Sequence, residues 1–188
     1  MAPFVGLTGG LGAGKSEALR LLGELGAATL STDAVVHELL ASDAVRTAIA
    51  ERFGPEVASD RSRIAERIFG EKEDRAWLEG LLWPLVGERV AAWRSALPAD
   101  RIAVVEVPLL FESGMQGAFD ATIAVVADED VRAERAGARG HAAVAEREGR
   151  QLSQQEKADR ADYTVRNDGS LDELKQTLSQ LLAKLDST

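Results

Sequence analysis

Eight consecutive residues, Gly9-Gly10-Leu11-Gly12-Ala13-Gly14-Lys15-Ser16, fit the pattern G-x-x-x-x-G-K-[ST], and each position has a chemical reason. Glycines remove the Cβ atoms that would block a phosphate and reach backbone conformations that other residues avoid. The N–H groups of Gly10, Leu11, Gly12, Ala13 and Gly14 can then converge on one anion, reinforced by the positive end of the helix that follows. Lys15 has the reach for the β- and γ-phosphates of a nucleotide, and the Ser16 hydroxyl can ligate Mg²⁺. A glycine-rich turn with no ligand would not explain Lys15 and Ser16 at these offsets.

Three further places could carry chemistry. Asp33 falls just past a short apolar run, where carboxyl ends of strands face the ligand crevice of open α/β sheets. A carboxylate there can orient or deprotonate an attacking hydroxyl; the blander alternative is a helix N-cap. The second place is Val104 to Glu112, a hydrophobic strand ending near acidic residues. Glu106 lies within the apolar run, where a carboxylate is costly unless paired, and Glu112 lies beyond it, as a surface loop residue would. The third is a set of arginines. Arg132, Arg135 and Arg139 recur at three- and four-residue spacing and so share a helical face, with Arg147 and Arg150 following after a break. Such forks suit phosphate oxygens, the alternative being a solvated face paired with Glu129, Glu134 and Glu146.

These residues need elements to hold them. Phe4 to Thr8 reads as a buried strand and Glu17 to Leu25 as an amphipathic helix ended by Gly26. Ala27 to Ser31 reads as a second strand. Residues 33–100 read as almost wholly helical, with segments at Ala34 to Leu40, Ala44 to Phe53, Arg61 to Phe69 and Lys72 to Leu97, the last carrying a kink at Pro84. Strand character returns at Arg101 to Val107 and at Ala121 to Ala127. Helices are expected from Glu129 to about Arg139 and from about Ala142 to Gln151. A short strand, Tyr163 to Val165, precedes the turn Asn167-Asp168-Gly169 and a helix from Leu171 to Leu185 capped by Ser170. Strands alternating with helices after the phosphate loop predict a three-layer α/β/α fold with a mostly parallel sheet. The nucleotide core is expected at 1–32 and 101–188, a helical lobe at 33–100 and a lid at 132–157.

Composition narrows the function classes. The chain has 188 residues, enough for one domain with a substantial core. Its 22 Lys+Arg against 31 Asp+Glu give a net charge of -9, which argues against a general nucleic-acid binder. Cysteine is absent, so disulfides and thiolate chemistry are excluded. No signal peptide and no apolar run of membrane-spanning length is visible, and a cytoplasmic location is expected. Nothing in the pattern speaks to oligomeric state.

Taken together, these blocks resemble the dephospho-CoA kinases. Leu7 to Ser16 is similar to the family's opening, and Asp33 matches the acidic residue after the second strand. Arg67-Ile68-Phe69 and Leu81-Leu82-Trp83-Pro84-Leu85 match its helical region. Val107-Pro108-Leu109-Leu110-Phe111-Glu112 is the most distinctive block. Arg135 and Arg139 match lid arginines, Gln151 to Lys157 the stretch after them, and Asn167 to Leu171 an Asn-x-Gly turn. Ser31, Trp83 and Gly140 depart from the usual residues, and the lid is short.

The resemblance implies a nucleoside-monophosphate-kinase-like fold and ATP-dependent phosphorylation of the ribose 3′-hydroxyl of dephospho-CoA. It implies that Lys15 and the loop amides hold ATP, that Ser16 ligates Mg²⁺ and that Asp33 acts on the hydroxyl. Arg139 with Arg135 would close over the transferring group, and Asn167 and Gly169 would lie near the adenine. Thr8, Asp33, Pro108, Leu109 and Glu112 would border the acceptor. Another small-molecule kinase of the same fold is the first rival. A GTPase-type switch is the second; its guanine-reading motif is matched only loosely by Glu156-Lys157-Ala158-Asp159.

Overall fold

A computed structural model describes residues 2–137 and 151–187. Five parallel strands, β1 (Phe4–Gly9), β2 (Ala28–Ser31), β3 (Ala103–Glu106), β4 (Ala121–Val126) and β5 (Tyr163–Arg166), form one sheet in the order β2-β3-β1-β4-β5. Its central strands read as nearly continuous apolar runs because helices cover both faces of a parallel sheet; every residue of β3 and β4 is buried, the polar Glu106 and Thr122 included. At the edge, β5 buries only Val165.

The chain leaves β1 toward β2 on one side of the sheet and later crosses to β4 on the other. The carboxyl ends of β1 and β4 therefore flank the point where strand order reverses, the usual crevice for a ligand. The phosphate loop follows β1 at this point.

By contact pattern the chain forms two compact units, Met1–Ser31 with Leu97–Thr188, and Thr32–Ala96. The first holds the sheet, α1 (Lys15–Glu24), α7 (Glu129–Gly137), α8 (Gln154–Arg160) and α9 (Leu171–Asp186). Leu174, Leu178, Leu181, Leu182 and Leu185 give α9 one buried stripe at helical spacing, which joins Leu19 and Leu22 of α1 and Val5 and Leu7 of β1 in the core. As expected, Ser170 caps α9, and Glu173 completes a capping box.

The second unit is helical: α2 (Thr32–Ala41), α3 (Asp43–Phe53), α4 (Pro55–Ala58), α5 (Arg61–Ile68) and α6 (Lys72–Ser95). Pro84 lies inside α6, and the helix continues on both sides of it. Leu78, Leu82, Val86 and Val90, four residues apart, form its buried stripe. Asp74, near its start, is buried and takes Arg52 at 3.2 Å and Arg67 at 2.7 Å. Both guanidiniums also lie over the ring of Phe53, and that of Arg52 over Trp77 as well.

Differences from the expected elements are instructive. Helix α8 was not anticipated, although Ser153-Gln154-Gln155-Glu156 carries a capping box that the structure forms. Pro55 opens the short helix α4, in the first turn where its missing N–H costs nothing. Arg139, Arg147, Arg150 and most of the helix expected from Ala142 lie outside the described residues. Among the described residues no helix is long and apolar enough to cross a membrane.

Candidate active site

The loop between β1 and α1 is built around glycines whose conformations are required. Gly14 has φ +90° and precedes α1, which begins with no side-chain cap; a Cβ on Gly14 would run into Asn167 Nδ2. Gly12 has φ +74°, and a Cβ there would lie 2.7 Å from the Arg132 carbonyl oxygen. The loop thus keeps its anion-facing amides only while both positions lack side chains. Lys15 Nζ donates to the carbonyls of Gly9 at 3.2 Å and Gly10 at 3.0 Å, which holds the ammonium over the loop. Ser16 is exposed in the first turn of α1, and its hydroxyl makes no hydrogen bond to a described residue.

A cleft of about 680 Å³ opens on this loop, lined by Gly12, Gly14, Lys15, Ser16, Arg135, Asn167 and Gly169 among others. Its volume suits a nucleotide-sized ligand. A second cleft, about 560 Å³, lies at the opposite ends of the strands beside Gly26, Pro98 and Ile102 and holds none of these residues.

Helix α7 braces the loop from one side. Arg132 Nε donates to the Leu11 carbonyl at 2.9 Å, and Arg135 Nη1 donates to the Asn167 carbonyl at 3.1 Å. The three-residue spacing puts Arg132 and Arg135 on a common face, which meets the phosphate loop and the turn before α9. Asn167 is buried, and its side-chain N–H donates to the Ala13 carbonyl at 2.9 Å. It therefore ties the turn before α9 to the loop while also lining the cleft.

On the other flank lies a buried polar knot. Thr8 is fully buried, and its hydroxyl donates to the Pro108 carbonyl at 3.3 Å. The same carbonyl accepts from Lys157 Nζ at 2.6 Å. Lys157, also fully buried, pairs with Glu112 Oε1 at 3.0 Å, and that oxygen accepts the Leu152 N–H at 2.8 Å. Among the described residues the other oxygen, Glu112 Oε2, is buried and meets no donor. Burial pushes the Lys157 ammonium below the ordinary lysine value, and the Glu112 carboxylate pulls the other way. Next to the knot, the Gln154 amide accepts from the Ala127 N–H at 3.1 Å and donates to its carbonyl at 2.7 Å. The knot joins the end of β1, the loop after β3 and the start of α8.

In the helical unit, Asp33 is the second residue of α2 and is exposed.

A family model for dephospho-CoA kinase matches residues 3–173. The chain is 39% identical to the dephospho-CoA kinase of Protochlamydia amoebophila over 193 residues, covering 96% of this chain and 95% of that one. The chain belongs to the dephospho-CoA kinase family. A solved Thermus thermophilus protein is 32% identical, with a TM-score of 0.78 and 97% of each chain covered. The dephospho-CoA kinase from Campylobacter jejuni shares the fold at a TM-score of 0.72, with 22% identity over 98% of this chain and 97% of that one. The architecture is that of the P-loop kinases.

Within this dephospho-CoA kinase family member, the sites expected from sequence fall into groups. Gly10 to Ser16, Arg135, Asn167 and Gly169 come together around the cleft loop. Thr8 and Glu112, expected at the acceptor, are both engaged in the buried knot, because Lys157 and the Pro108 carbonyl need partners away from water. Pro108 and Leu109 are half-buried beside it. Sequence reasoning missed Lys157 as a site-building residue, since only burial distinguishes it from a solvated helix lysine. Arg132 was seen only as one of a set.

Lys157→Met should lower the unfolding free energy by about 3–5 kcal/mol, because it leaves the Glu112 carboxylate buried and unpaired. Replacing both residues, Lys157→Met with Glu112→Leu, should recover most of the loss. Urea titrations of the three proteins measure both effects, and a single variant as stable as wild type would remove the knot's structural role.

Proposed function

We propose that this chain transfers the γ-phosphoryl group of ATP to the ribose 3′-hydroxyl of dephospho-CoA, giving coenzyme A and ADP. The observation that carries the reaction class is the loop itself: two glycines that admit no side chain, an uncapped helix start, and Lys15 and Ser16 at the mouth of one cleft. Family membership supports the choice of acceptor.

Phosphoryl transfer asks the protein for position and compensating charge rather than covalent chemistry. In the proposed roles, the loop amides and Lys15 hold the β- and γ-phosphates, with the ammonium exchanging the Gly9 and Gly10 carbonyls for phosphate oxygens. Arg135 adds positive charge at the cleft. Arg139 is proposed for the transferring group by resemblance alone. Asp33 receives or orients the proton of the attacking hydroxyl, and residues 33–100 serve as the acceptor lobe. Asn167 and Gly169 flank the base end of the cleft, and Pro108, Leu109 and Glu112 border the acceptor path.

Ser16 fits Mg²⁺: its hydroxyl is a hard oxygen in the cleft, and a magnesium ion shared with phosphates and water needs few protein ligands. When bound, the ion would neutralise charge on the β- and γ-phosphates. A cytoplasmic setting belongs to the same proposal.

The test is ADP release by the purified chain with Mg-ATP in the presence of dephospho-CoA, adenosine or AMP. Strong stimulation by dephospho-CoA, with coenzyme A as product, is the expected result. Turnover with a different acceptor only would leave the loop roles in place and discard the substrate.

A further inference from the structure

One arginine of the helical unit is held in an unusual way. Arg61, the first residue of α5, places Nη1 2.8 Å from His37 Nδ1 on α2. A guanidinium can only donate, so the imidazole nitrogen is the acceptor in this contact and brings no negative charge to it. Arg61 makes no ion pair with a described residue. Arg52 and Arg67 of the same unit contrast with it, since both are engaged by Asp74. In a chain of net charge -9, Arg61 is therefore a cation fixed in direction but not compensated in charge by any described residue. Four of its five N–H donors meet no acceptor among the described residues. Neighbouring Asp60 is occupied elsewhere, capping α5 through the Ser62 N–H at 2.8 Å.

Its location gives the cation a meaning. His37 lies four residues after Asp33 on α2, so the two share a helix face with Cβ atoms about 5–6 Å apart. Asp33, His37 and Arg61 are all exposed. One patch of the helical unit thus carries a carboxylate for a hydroxyl and, beyond a histidine one helical turn along α2, a guanidinium that this histidine aims. A nucleotide presents its 3′-hydroxyl and 5′-phosphate on the two sides of one ribose, which is a match in both charge and order.

Building on the kinase function proposed above, we infer that Arg61 is the acceptor's phosphate-binding group, with His37 as its positioning residue. The pair selects acceptors that carry a 5′-phosphate or diphosphate next to the ribose being phosphorylated. A carboxylate in place of His37 would fix Arg61 as firmly but would cancel the charge the phosphate needs.

The test uses the full chain at saturating Mg-ATP. Arg61→Ala should raise the KM for dephospho-CoA by about 10–100-fold, the worth of a charge-assisted hydrogen bond. Its kcat should stay within about threefold, and the KM for ATP and the melting temperature should not move. Arg61→Lys should recover part of the loss, because it restores the charge without the fork, and His37→Ala should show a smaller rise in KM. AMP and adenosine, used as competitive inhibitors against dephospho-CoA, separate the phosphate from the rest of the ligand. The inhibition constant of AMP should rise in Arg61→Ala, and that of adenosine should not. Equal changes for AMP and adenosine, an unchanged KM, or a fall in kcat at constant KM would each overturn the assignment. If the wild-type chain does not act on dephospho-CoA at all, the kinase function beneath it fails instead.

Discussion

Lys15→Ala should reduce kcat by about 10²–10⁴-fold, among the largest effects expected of any single substitution here. Its ammonium sits over the phosphate loop on the carbonyls of Gly9 and Gly10, at 3.2 and 3.0 Å, and lines the cleft beside Ser16. A positive group fixed where charge moves during phosphoryl transfer supplies stabilisation that water cannot reproduce, because it needs no reorganisation at the moment of reaction. Stability should change little, since Lys15 is only half-buried. The measurement is a steady-state rate at saturating ATP and dephospho-CoA alongside a thermal melt. Turnover near the wild-type rate would remove Lys15 from the proposed chemistry. A large drop in melting temperature would show instead that the lysine is a structural brace of the loop.

Asp33→Asn should lower kcat by about 10²–10⁴-fold while leaving ATP affinity near its wild-type value, as expected for loss of a general base. The substitution keeps the size of the side chain and removes only its charge and basicity. Asp33 is exposed in the first turn of α2 and belongs to the helical unit, whereas the glycine loop and its cleft belong to the sheet unit. The two substrates' binding determinants should therefore separate in the kinetics. Calorimetric titration with a nonhydrolysable ATP analogue and Mg²⁺ reads affinity directly. If ATP binding fell with turnover, Asp33 would be better assigned to the metal shell than to the acceptor hydroxyl.

The sequence by itself determined what is local. The phosphate loop is eight adjacent residues whose glycines and Lys-Ser pair have meaning in any fold that places a strand before them and a helix after. The nearly continuous apolar runs of β3 and β4 announced central strands of a parallel sheet, because burial on both faces leaves no regular polar alternation. Ser170 announced the start of α9 as its cap, and Glu173 completes a capping box there. The same local signal at Ser153 and Glu156 was present and went unused, which is why α8 was missed.

Tertiary structure decided what depends on burial and on distant partners. Glu112 read as a surface carboxylate until Lys157 and the Leu152 N–H were found on one of its oxygens. Lys157 read as one more charge on a polar helix until it proved fully buried against the Pro108 carbonyl. His37 and Arg61, 24 residues apart, gave no motif that would join them. Nor did Asn167 and Ala13, which meet across most of the chain's length. In each case the energy at stake comes from removing a charge or amide from water, or from leaving a charge without a counter-ion. Residue type and spacing can name the groups able to do chemistry, but only packing decides which of them lose water and therefore must find each other.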